Sequence, residues 1–154
     1  MDDPSLSNPV SALTEVRSSP THGLGLFAKV AIPRHTVWWR PRPGDVIHVQ
    51  RAHFETLARS APSLTSDSFV AAILEHGYYV EKYDALVFIP DEGRFVNHSF
   101  RPNSAVCPDS DGLCSHALRD IAAGDEILED YSQFDKCPWA KLYGEFGRTI
   151  GCWS

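Results

Sequence analysis

Apolar positions recur along this chain in two rhythms. Outside residues 50–77 they come as short runs cut by Gly and Pro, which is the signature of brief strands joined by turns. Residues 12–17 predict a first strand, ended by Ser18-Ser19-Pro20. Residues 32–39 predict a turn and a strand, interrupted by Arg40-Pro41-Arg42-Pro43-Gly44, with extended chain resuming at 45–49. The adjacent Trp38 and Trp39 fall on opposite faces of such a strand, one toward the core and one half exposed. Residues 51–60 and 67–76 carry Phe54, Leu57, Ala58, then Phe69, Val70, Ile73 and Leu74 at helical spacing. Ser66 or Asp67 suits an N-cap there, and Gly77 suits a C-terminal stop.

Strands are predicted again at 78–81 and 86–89, around Lys82-Tyr83-Asp84. Pro90-Asp91-Glu92-Gly93 then makes a turn. Residues 94–99 read as a short buried strand running into a polar turn. Residues 105–107 and 115–119 form a hairpin about 108–112, and 126–131 is a last strand after a turn at 120–125. An aromatic tail follows at 137–154. The class is therefore mainly β with a short helical insert at about 50–77. Residues 1–11 read as a flexible arm, 12–136 as one domain and 137–154 as a tail closing the site.

Composition narrows the functions. At 154 residues the chain suits one domain with a proper core. A net charge of −6 argues against holding nucleic acid by its phosphates and fits a basic protein segment as partner. The start, Met1-Asp-Asp-Pro-Ser, lacks the basic and apolar regions of a secretory signal, and no apolar run reaches the ~20 residues of a membrane span. The four cysteines, Cys107, Cys114, Cys137 and Cys152, show no C-x-x-C spacing and read as reduced thiols of an intracellular chain, cytoplasmic or nuclear. Asn97-His98-Ser99 fits a glycosylation sequon, an accidental match without an export signal.

Chemistry concentrates in blocks far apart in sequence. Arg94-Phe95-Val96-Asn97-His98-Ser99, with Pro102-Asn103 behind it, offers donors and acceptors in an array that suits a purine edge; ordinary satisfied polar residues at a strand end are the plain alternative. Gly23-Leu24-Gly25-Leu26-Phe27-Ala28 fits a dinucleotide fingerprint, with Asp45 about where a ribose ligand is sought. Pro33 would break the helix that this fingerprint needs. The glycines therefore sit in a turn between strands, a tight turn or a place where a ligand approaches the backbone. The last block is Ile121-Ala-Ala-Gly-Asp-Glu-Ile-Leu-Glu-Asp-Tyr131.

In that order the three blocks resemble the SET-domain protein-lysine methyltransferases, over about residues 16–134. The resemblance implies small sheets with a C-terminal pseudoknot, S-adenosylmethionine bound on one side, and a lysine entering from the other. It implies cofactor contacts at His22, Gly23, Leu24, Gly25, Arg94, Phe95, Asn97 and His98, with Tyr131 beside the transferred methyl. On the substrate side the candidates are Glu129, Tyr78, Tyr83 and Trp139, with Trp139 or Trp153 able to supply a lid and core packing as the alternative. Phe100 stands where many relatives place a zinc-binding cysteine, so no structural metal is expected, as in small stand-alone members.

Glu129 departs from the family, which has Phe or Tyr two residues before the final tyrosine. By strand alternation Ile127, Glu129 and Tyr131 share a face. Glu129 then either faces the acceptor amine or, if the strand bends, meets solvent or a backbone donor. The acids Asp120, Asp125, Glu126, Glu129, Asp130 and Asp135 read as a solvated edge or as a rim attracting a basic peptide. The methyl acceptor is expected to be a histone or other basic protein; a free amino acid or small amine, and a non-catalytic SET-like binding module, are the alternatives.

Overall fold

The computed structural model describes residues 7–42, 44–60 and 69–139. Its first elements are α1 (Val10–Leu13), β1 (Thr14–Ser18), β2 (Leu24–Ala28) and β3 (Val37–Trp39). There follow β4 (Ile47–Gln50), α2 (Arg51–Ser60), α3 (Phe69–His76), β5 (Tyr78–Val80) and β6 (Ala85–Phe88). The last are β7 (Asn97–His98), β8 (Ser104–Val106), β9 (Ser115–Ala117) and β10 (Leu128–Glu129). Tight 3-10 turns occupy Glu81–Tyr83, Glu92–Phe95 and Tyr131–Gln133. The strands form four sheets of two or three strands, the mainly β class with a helical insert. No helix among the described residues is long and apolar enough to cross a membrane.

Two compact units make up the chain: Met1–Val46 with Pro90–Tyr131, and Ile47–Ile89 with Ser132–Ser154. In the first, β1 and β2 pair antiparallel from Thr14↔Ala28 to Ser18↔Leu24. The free edge of β2 is taken up by the chain at 125–127, through Ala28 N–H to Asp125 O and Ile127 N–H to Leu26 O. Backbone groups are thus satisfied on both edges, and β2 is buried from Gly25 to Ala28. Ile32 and Ile121, each 1% exposed, bridge the next stretch. A second sheet has the order β3-β9-β8.

Several expectations are corrected here. Both tryptophans are buried: Trp38 donates to Ser104 Oγ at 2.7 Å, and Trp39 donates to the Asp91 carboxylate at 3.0 Å. Strand alternation fails because the register shifts between Val37 and Trp39, and because Asn8 closes over that side. Asn8 donates to Asp91 at 2.9 Å, and Val10 behind it is buried, so the chain is tied down from Asn8 onward. Residues 1–6 of the expected arm lie outside the described residues. Arg94 and Phe95, expected to open a strand, instead complete a 3-10 turn over Glu92–Phe95, because the Asp91 side chain accepts from Gly93 N–H at 2.7 Å and caps it. Cys107 and Cys114 are not separate thiols; the β8-β9 hairpin brings their Cα atoms to 5.2 Å and they form a disulfide. Cys137 is a buried thiol.

The second unit is more regular. Its sheet has the order β4-β6-β5, all antiparallel, from Ile47↔Phe88 and Tyr78↔Val87 to Val80↔Ala85. The central strand β6 is buried at all four positions, which its unbroken apolar run Ala85-Leu-Val-Phe88 dictates. Around it lie Val49, Phe54, Ile73 and Trp139 in the same core. The helices fall where the periodicity puts them; the N-cap candidates Ser66 and Asp67 lie outside the described residues. Gly77 does end α3, its N–H reaching Ile73 O at 2.7 Å.

Candidate active site

The glycine turn between β1 and β2 is built by Ser19. Its hydroxyl accepts from Thr21 N–H at 2.9 Å and His22 N–H at 3.3 Å, while Ser19 N–H reaches Gly23 O at 2.8 Å. Gly23 has φ +46°, in the left-handed region that glycine enters without a Cβ penalty. Gly25 is needed for a different reason. A Cβ there would overlap Glu126 Oε1, 2.9 Å from Ser19 Cβ and 3.1 Å from Asn97 Nδ2.

Asn97 is what crosses to that turn. Its Nδ2 lies 3.0 Å from His22 O, 3.1 Å from Leu24 O and 2.8 Å from Glu126 Oε1. Glu126 also accepts from Ser19 Oγ at 2.7 Å and Thr21 Oγ1 at 3.1 Å. The first and last sequence blocks therefore meet on the middle one. Asn97 itself is carried on β7, which pairs parallel with β10 through Leu128↔Asn97 and Glu129↔His98.

A pair of two-residue strands has little ladder of its own, and Asn103 supplies the rest. Its Nδ2 donates to Glu126 O at 2.8 Å, its Oδ1 accepts from Leu128 N–H at 2.8 Å, and its own N–H reaches Leu128 O at 3.1 Å. At 6% exposure Asn103 is a buried splint between the two segments. Ser99 N–H adds a bond to Glu129 O at 3.0 Å.

Tyr131 follows directly. Its N–H donates to His98 Nδ1 at 3.0 Å, and its hydroxyl donates to Val96 O. Since Nδ1 accepts there, the neutral His98 ring carries its proton on Nε2. Asp130 Oδ1, 3.9 Å from Nδ1, is then an electrostatic neighbour and not a hydrogen-bond acceptor of that atom. The His98 ring lies 5.2 Å from the Tyr131 ring and meets Phe100 edge-on at 4.5 Å. Phe100 itself is 80% exposed.

The remaining candidates separate. Arg94 folds its guanidinium back onto the carbonyls of Pro90 and Asp91 and over the Phe95 ring at 4.3 Å. Glu129 corrects the alternation argument: β10 ends at Glu129 and Tyr131 opens a 3-10 turn, so the period of two does not carry across. The Glu129 carboxyl is buried and accepts from Ser104 Oγ at 2.8 Å. Burial pushes its pKa up, against the opposing pull of the Ser104 and Ser115 hydroxyls. The acidic run is not one rim either. Asp120 accepts from Arg34 N–H, Glu126 holds the glycine turn, and Asp135 accepts from Glu81 N–H.

Tyr78, Tyr83 and Trp139 belong to the second unit. Tyr78 packs on Phe134 with centroids 5.4 Å apart. Tyr83 meets His48 edge-on at 4.8 Å beside a cleft of about 240 Å³ that Gln50 and His53 also line. Trp139, 5% exposed, packs on Phe54 and Tyr79 as a core residue. Asp84 accepts from Tyr79 Oη at 2.7 Å, and burial with that carboxylate drives the Tyr79 phenol far above its usual range. Trp153 lies outside the described residues.

Ser19, Thr21, Asn103 and Glu126 were missed as site-building residues. The Pro-Asn pair and the Gly-Asp-Glu-Ile block contained two of them, but nothing local in the sequence gives a hydroxyl or carboxylate a partner about a hundred residues away. Among the described residues no group of three or more His, Cys, Asp or Glu stands together in a metal-holding arrangement.

The sequence model of the SET domain matches residues 23–132, from the glycine turn through Tyr131. The chain belongs to the SET-domain family. Two curated relatives, both histone-lysine N-methyltransferases SETMAR, come from Rattus norvegicus (33% identical) and Mus musculus (32%), each over 94 residues. The match takes in 56% of this chain and 26% of each relative, so the matched region spans about a quarter of their length. Among solved structures, an autoinhibited ctPRC2 bound to S-adenosylmethionine aligns with a TM-score of 0.55 at 17% identity, covering 86% of this chain and 16% of that one. The Chaetomium thermophilum polycomb repressive complex 2 aligns at 0.53 and 18% identity, covering 81% of this chain and 16% of that one. These likenesses are of fold, and the SET fold is the one the small sheets and the parallel β7-β10 junction build.

Proposed function

We propose that this SET-domain chain is an S-adenosylmethionine-dependent methyltransferase acting on the lysine amine of a protein. The observation that carries the reading is the convergence on Asn97: its amide holds the glycine turn, and its neighbour Val96 holds the Tyr131 hydroxyl. The naming of both curated relatives as histone-lysine N-methyltransferases supports the lysine.

The residues present suit this cofactor. The left-handed Gly23, with nothing within 4 Å of where a Cβ would stand, leaves main chain open to a ligand, while Gly25 lets Glu126 and Asn97 close in behind the turn and hold its shape. Gly23, Leu24, Gly25, Asn97 and His98 would hold it, with Arg94 and Phe95 alongside. When bound, S-adenosylmethionine supplies an electrophilic methyl group on a sulfonium. The chain's own work is orientation and desolvation. A free lysine amine, with a pKa of ~10.4, costs about 4.6 kcal/mol to deprotonate at pH 7. An apolar passage lowers that cost, and alignment of the reacting atoms removes about 7–11 kcal/mol more. A tyrosine held by hydrogen bonds through both its N–H and its hydroxyl fits a positioning role without a strong general base.

The net charge of −6 goes with a basic protein tail as substrate, histone or not, in the nucleus or cytoplasm. The burial of Glu129 against Ser104 removes one of the supports of the small-amine alternative. The test is transfer of labelled methyl from S-adenosylmethionine to histones, ribosomal proteins and free amino acids in parallel. Label is expected in a basic protein, and Tyr131→Phe is expected to lower the rate about 10²-fold or more. Label appearing in free amino acids alone would overturn the protein substrate. Cofactor binding without any transfer would return the chain to a binding module.

A further inference from the structure

We propose that Glu126 is a positioning residue that, together with the carbonyls of His22 and Leu24, holds the direction of the Asn97 carboxamide, and so the polarity of the hydrogen bonds the glycine turn offers a ligand. The inference rests on the reading of this turn as a cofactor site. The argument is one of donors and acceptors. A carboxylate only accepts, so Asn97 must turn its NH2 toward Glu126 Oε1, 2.8 Å away. The same nitrogen faces the carbonyls of His22 and Leu24, which also only accept. A flipped amide would set Oδ1 against three oxygens. Its orientation is therefore fixed, with Nδ2 and not Oδ1 turned toward the three acceptors.

The rest of the latch has the same sense. Thr21 N–H and His22 N–H donate to Ser19 Oγ, which donates on to Glu126 Oε1, while Thr21 Oγ1 donates to Oε2. One carboxylate thus collects donors from Ser19, Thr21 and Asn97. Gly25 stands where any side chain would enter the same space. A neutral amide at 126 can keep this polarity, its oxygen toward Ser19 and Asn97 and its NH2 toward the Thr21 hydroxyl, which can accept. A methyl group cannot.

The experiment compares wild type, Glu126→Gln and Glu126→Ala by NMR of the Asn97 side-chain amide and by methyl-transfer kinetics with S-adenosylmethionine. In Glu126→Ala the KM for the cofactor should rise about 10- to 100-fold with kcat little changed, the pattern of lost positioning. Glu126→Gln should stay within about threefold of wild type. The Asn97 amide pair should be dispersed and slow to exchange in wild type and Glu126→Gln, and shift and exchange faster in Glu126→Ala, while β6 amides stay put. Should Glu126→Ala fail to fold, Ser19→Ala removes one strut and should shift the Asn97 pair and KM partway. An unchanged Asn97 pair and KM in these variants, or equal loss in Gln and Ala, would overturn the inference. If wild type binds no cofactor, the proposed function fails, yet the Asn97 resonances of the free protein still decide this one.

Discussion

Each of the two units coheres internally by a different means. In the second, a regular ladder from β4 through β6 to β5 encloses an apolar strand, and every position of β6 is buried. In the first, β7 and β10 are two residues each, and side chains replace the missing ladder. Asn103 satisfies β10, Asn97 and Glu126 tie down the glycine turn, and His98 and Val96 fix Tyr131. A ladder gives stability by repetition. A set of single, directional bonds gives less of it, and instead sets where particular atoms point. The contrast explains why the proposed chemistry gathers where the strands are shortest.

That contrast can be broken by mutation. Leu86→Ala, at a fully buried site in β6, should destabilise the protein by about 2–5 kcal/mol in denaturant melts while leaving cofactor affinity of the folded fraction unchanged. Equal losses of affinity and stability would deny the division of labour. Asn103→Ala should cost about 1–3 kcal/mol for each group it strands, Leu128 N–H and Glu126 O, and should weaken cofactor binding too. Gly25→Ala forces a methyl into the latch, an overpacking of about 1–3 kcal/mol, and calorimetry should register weaker cofactor binding with the second unit intact.

The smallest effect is one of pH. Burial raises the Glu129 carboxyl above its unfolded value, so the native state keeps a proton that the unfolded chain releases. Stability from this group is full below the unfolded carboxylate range, near pH 4, and is lost as pH rises through the raised native value. Glu129→Gln, which keeps an acceptor for Ser104, should therefore match wild type at about pH 4 and melt higher at pH 7–8. A gap that widens toward acid would contradict the sign.

The second unit was legible in the sequence because periodicity reports it. Phe54, Ile73 and the run 85–88 are spaced as a helix face or a buried strand requires, and the elements follow. The first unit was legible only through its blocks. Their order gave the family, but the path of individual side chains did not follow from them. Both tryptophans are buried because Asn8 and Asp91 cover the second face. Glu129 keeps the buried side of Ile127 while Tyr131 leaves it because β10 stops at Glu129, and Cys107 found Cys114 across a hairpin. Each of these is settled by tertiary contact, which overrides local alternation. The partners of Asn97 lie 29 to 75 residues away.

The most direct measurement is a titration of isotope-labelled protein with S-adenosylmethionine, followed through its amide resonances. The account predicts the largest shifts at Gly23, Leu24, Gly25, Asn97 and His98, including the Asn97 side-chain pair, with the β4-β6-β5 ladder nearly still. Saturable binding with its shifts centred away from that turn, or no binding to the folded protein, would contradict it.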